Sequence, residues 1–126
     1  MLVSDIRALL GCEVFTGEEL LNTRIEYGCA SDLMSDVLAF SRSGAVLMTG
    51  LVNIQTIQTA FIAEINAIIL VRGKKPTADV ILLAKEKNMP LLGTAYSMYE
   101  ACGILYRNGL ASTMEYGASV ASQGGK

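Results

Sequence analysis

Histidine is absent from the 126 residues. With it go the commonest general base at neutral pH and every histidine-dependent triad, leaving only carboxylates and thiols to ligate a metal. Tryptophan is absent too and aromatic residues make up 6% of the chain, so a core must be built from Leu, Ile, Val, Ala and Met. That mixture suits helices covering a sheet better than a β-sandwich. The three cysteines, Cys12, Cys29 and Cys102, are widely spaced without a CxxC pair, which argues against a disulfide framework or a zinc site. Basic residues form no run beyond Lys74-Lys75 and the net charge is −2, so the broad basic surface that nucleic acid requires is missing. No GxxxxGK[ST] phosphate loop occurs. No apolar segment reaches the roughly 18 residues that span a bilayer, and the N-terminus has no basic stretch followed by an apolar run. The expectation is a cytoplasmic protein with no membrane or nucleic-acid partner.

What the chain does have is 52% hydrophobic and only 17% charged residues, ample for the core of one domain. Ser4 reads as the N-cap of a short first helix carrying Ile6, Leu9 and Leu10 up to Gly11. Cys12–Phe15 and Arg24–Ala30 read as strands. Ser31 and Asp32 then open a helix with Leu33, Val37 and Phe40 along one side. From Ala45 onward the pattern becomes regular. Apolar runs at 45–48, 67–71 and 90–92 each lead through a short polar loop into a helical stripe, at 53–65, 77–88 and 97–108. Connections of that length joining strand to strand through a helix are crossovers, which make parallel pairs. The fold class predicted is α/β, a three-layer α/β/α domain over residues 1–110 with a mostly parallel sheet, followed by a low-information tail over 111–126.

Parallel units of this kind bring their strand-to-helix loops to one edge of the sheet, where open α/β sheets bind ligands. The loops carry Thr49, Gly50, Asn53, Arg72, Gly73, Lys74, Lys75 and Thr94, and these are the candidate ligand-binding residues. Ser, Thr, Asn and Gly are also what turns and helix starts require, so only the basic loop Arg72-Gly73-Lys74-Lys75 goes beyond that need. Its cations suit an anionic ligand or an acidic partner. Asp32 and Asp36, four apart, would share one helix face as a metal or acid pair does, or simply complement the helix dipole. Cys102 could act as a nucleophile only with a lowered pKa, and a core cysteine is the plainer reading. No catalytic residue, metal ligand or cofactor is assigned.

Thr49-Gly50 after a strand, the Ile- and Ala-rich helix, the apolar strand running into a glycine, then Pro76 and the helix with Leu83-Ala84-Lys85-Glu86 together resemble the DRTGG domain family. The resemblance covers roughly residues 3–110. The family's namesake letters fall at Leu51-Val52 and Val71-Arg72-Gly73, where only the last glycine is kept. The segments Val71–Pro76 and Ser31–Asp36 look more like its free-standing subgroup, encoded beside iron-hydrogenase and redox-signalling proteins. The resemblance implies a small α/β module, related in fold to the N-terminal domain of HPr kinase/phosphorylase and found beside CBS domains in regulated pyrophosphatases. It implies a regulatory, dimer-forming, nucleotide-binding role without catalysis. Two functions stand as expectations: a homodimeric sensor of a nucleotide or other phosphorylated metabolite, or an interaction module for a redox or signalling enzyme.

Overall fold

The apolar runs at the centre of the chain become strands buried on both sides, because helices cover both faces of the sheet they form. In the computed structural model, which describes residues 1–114, the order is α1 (Val3–Leu10), β1 (Glu13–Thr16), a 3-10 turn (Glu18–Leu20), β2 (Tyr27–Ala30), α2 (Met34–Phe40), β3 (Ala45–Thr49), α3 (Ile54–Ile62), β4 (Ala67–Leu70), α4 (Ala78–Glu86), β5 (Leu91–Gly93), α5 (Met98–Arg107) and β6 (Ala111–Ser112). The six strands lie in the order β1-β5-β4-β3-β2-β6. Every neighbouring pair is parallel except β1 with β5. The predicted parallel trio is therefore present, with β4 flanked by β3 and β5.

Alternate residues of each strand feed two separate cores. Val46, Met48, Ile69, Val71 and Leu92 pack under α1 and α5. Leu47, Ile68, Leu70 and Leu91 pack under α2, α3 and α4. Fully burying one such side chain contributes about 1.5–3 kcal/mol, so the two layers supply the main driving force of the fold. The helices α3, α4 and α5 end alike, which accounts for their stopping short of the predicted limits. A left-handed residue, Glu64, Asn88 or Gly109, turns the chain so that Ile65, Met89 or Leu110 sends its N–H back to the carbonyl of Ala60, Ala84 or Leu105. Each of those three apolar residues is buried, which anchors the turn.

The first third departs from the expectations in three places. Helix α1 begins at Val3, before Ser4, because the Asp5 carboxylate accepts the Leu2 N–H at 2.8 Å and makes Leu2 the capping position. Only Tyr27–Ala30 of the predicted second strand pairs in the sheet, while Arg24 forms an isolated bridge to Leu2. Helix α2 starts at Met34, so its buried side is Met34 and Val37, and Leu33 and Phe40 are 57% and 51% exposed. Ala111–Ser112, placed in the tail by composition, pairs with the start of β2 as the edge strand. Residues 115–126 of that tail lie outside the described residues.

Candidate functional site

The parallel strands deliver their following loops to one edge, and an acid from β2's loop organises it. Asp32 Oδ1 accepts the Thr49 hydroxyl at 3.0 Å and the Gly50 N–H at 2.7 Å. The Thr49 oxygen in turn accepts the Leu51 N–H at 3.1 Å. Asp32 is thereby a clamp on the turn after β3. Asp32 precedes α2 while Asp36 lies in its first turn, so the two do not form the helix-face pair that their spacing suggests.

Polar loop residues picked from the sequence divide into those spent on structure and those left free. Thr49 is fully buried in the clamp. Asn53 caps α3, its side-chain oxygen accepting the Thr56 N–H at 2.9 Å. Thr94 is buried and its hydroxyl donates to the Leu10 carbonyl at 2.7 Å, tying the end of α1 to the end of β5. Arg72 and Gly73 are both left-handed, with φ of 59° and 68°. That bend turns their N–H groups inward, to the Tyr96 and Thr94 carbonyls at 2.8 Å each. The Gly73 amide is consequently engaged by protein. Lys75 is engaged as well, its ammonium 2.6 Å from Glu13 Oε1 and over the Phe15 ring.

Two cations remain. Arg72 and Lys74 are exposed, and among the described residues neither has a carboxylate within ion-pair distance. The Arg72 guanidinium lies against the backbone of Gly50, so close that a Cβ there would sit 2.5 Å from Nη2. A glycine at 50 is what lets the β4 loop fold its arginine over the β3 turn. The result is a cationic fork lying over a turn that Asp32 has already fixed.

The thiols offer no activated nucleophile. Desolvation by burial pushes Cys12 up to about 11, offset in part by Arg7. The same cause, with a lesser contribution from Cys102, takes Cys29 to about 11, and burial raises Cys102 also. All three are protonated at neutral pH.

The model of the DRTGG domain matches residues 5–107. The chain belongs to the DRTGG domain family. Both stretches on which the namesake letters fall, Leu51-Val52 and Val71-Arg72-Gly73, follow β3 and β4 at the edge just described. No curated protein matches the chain. Seven chains of solved structures do. One is the crystal structure of the CBS and DRTGG domains of the regulatory region of Clostridium perfringens pyrophosphatase, complexed with its activator diadenosine tetraphosphate. The likeness has a TM-score of 0.68 at 17% identity and covers 80% of this chain, so it is a likeness of fold. This DRTGG domain spans 44% of that structure's chain. The role of Asp32 as a clamp was not legible from sequence, because its partners lie beyond the intervening helix. Tyr96, whose carbonyl holds the Arg72 amide, carried no signal beyond being a loop residue.

Proposed function

We propose that this DRTGG domain is a non-enzymatic regulatory module that binds a nucleotide or another phosphorylated metabolite at the carboxyl edge of its sheet. The observation that carries the reading is the pair Arg72 and Lys74, two cations without an acid partner among the described residues, one of them laid over the Gly50 turn. A planar guanidinium suits the bidentate recognition of phosphate oxygens, and a neighbouring lysine adds a second point charge. Thr49, Asn53, Gly73, Lys75 and Thr94 belong to the site as its frame, since their polar groups are engaged by protein. The related pyrophosphatase region, crystallised with a dinucleotide polyphosphate, makes that ligand class the first to test. The reading has the domain act in the cytoplasm as a homodimer, transmitting occupancy to a partner enzyme without chemistry of its own.

Calorimetric titration with mononucleotides, diadenosine tetraphosphate and simple phosphorylated metabolites tests it. A charge-assisted hydrogen bond is worth about 1.5–3 kcal/mol, so Arg72→Ala or Lys74→Ala should weaken binding about tenfold or more. Lys75→Ala should change affinity far less, because Glu13 already holds that ammonium. No binding of any of these compounds by the unaltered protein overturns the reading, leaving the cations to an acidic surface on a redox or signalling enzyme.

A further inference from the structure

Among the described residues the two layers flanking the sheet are unequal: three helices cover one face and only α1 and α5 the other. The shortfall appears beside α5, where a groove of about 760 Å³ runs along the outer strands β2 and β6, floored by Gly28, Met48 and Leu110. Its rim is a helix face of particular composition. Tyr99, Gly103 and Tyr106 fall on one stripe of α5, at spacings of four and three, and the two rings are 89% and 63% exposed. A Cβ at Gly103 would meet nothing within 4 Å, so the helix backbone is bare at the middle of the stripe. Glu100 and Arg107, seven apart and hence on one flank of that stripe, are exposed and in no ion pair among the described residues.

We infer that this face of α5 is where two copies of the chain pair, their α5 helices antiparallel about a two-fold axis that passes beside Gly103. The proposal rests on the homodimer part of the function proposed above and adds the surface and its register. A two-fold axis perpendicular to both helices keeps each flank on its own side and reverses its direction. Glu100 of one copy therefore meets the partner's Arg107, and Arg107 meets the partner's Glu100, so the charges complement twice. The same operation sets Tyr99 against the partner's Tyr106 and puts the two Gly103 backbones together, where the missing side chains allow close approach. Tyrosine contributes large, rigid contact area to such patches. A helix of another protein would satisfy the apolar stripe, but nothing would require it to carry the reversed charge pattern.

Sedimentation equilibrium on the full chain at micromolar concentration tests the pairing, with circular dichroism as the check on folding. The unaltered protein should be a dimer, and a monomer overturns both the homodimer reading and this surface, independently of any ligand titration. A Cβ at position 103 meets nothing within 4 Å, and Gly103→Arg should weaken the dimer about tenfold or more. A dimer unchanged by Gly103→Arg, with native circular dichroism, overturns the surface and leaves the homodimer reading standing. Glu100→Arg and Arg107→Glu should each weaken pairing, and the double variant Glu100→Arg, Arg107→Glu should recover it, because the charges are then exchanged and again opposed. Failure of the double variant to recover beyond the two single ones overturns the antiparallel register, even if Gly103→Arg fails to fold.

Discussion

Thr94 shows how a polar residue at a promising edge can be committed elsewhere. Its hydroxyl bonds the carbonyl of Leu10, the last residue of α1, and accepts the Tyr96 N–H at 3.3 Å on the other side. Replacement by valine keeps the shape and removes both bonds, leaving a buried carbonyl with no partner. Unsatisfied groups of this kind cost about 1–3 kcal/mol, so Thr94→Val should lower the urea midpoint correspondingly with an unchanged slope. A sequence places Thr94 in a loop after a strand and no further, because Leu10 is 84 residues away. Arg72 is the opposite case. Its charge could be read from the sequence, whereas its left-handed backbone and its seat over Gly50 depend on the loop after β5 pulling its amide inward.

At the scale of elements, the three strand-loop-helix units were legible because each carries its own start and stop signals. Asn53 and Ser97 cap α3 and α5 through their side-chain oxygens, with the Thr56 and Glu100 N–H groups donating at 2.9 and 3.2 Å. Asn53→Ala and Ser97→Ala should each cost about 1 kcal/mol in denaturant unfolding, the usual value of such a cap. Thr77 does not act this way: its hydroxyl donates to the Asp79 carboxylate and holds that acid below its ordinary range. The elements of the first third were harder to place, because their polar residues bond across the fold. Ser31 accepts the Leu33 N–H and Asp32 is drawn to Gly50, so α2 can begin only after them, and its apolar stripe turns by a residue. Leu33, predicted to be inside, is outside for that reason.

For the whole molecule, the buried thiols predict how stability responds to alkali. Cys12 and Cys29 are raised from an ordinary 9.0 to about 11, so the folded state keeps protons that the unfolded chain has released. Their contribution is complete below the unfolded value and is lost as pH rises toward the folded one. Urea midpoints should therefore fall between pH about 9 and about 11, and the fall should be shallower in a Cys12→Ala, Cys29→Ala variant measured alongside. An identical pH profile in the two proteins would remove the thiols as its cause. The sequence by itself determined the α/β class, the parallel units from Ala45 onward and the absence of histidine chemistry, since periodicity, capping residues and composition are local properties of a chain. Tertiary structure decided the remainder. It set β1 antiparallel at one edge and β6 at the other, turned Lys75 to Glu13, and left Arg72 and Lys74 without an acid among the described residues. Which charge stays free depends on which strand lies beside it, and strand order is fixed by packing two faces of a sheet at once, a condition no short stretch of sequence contains.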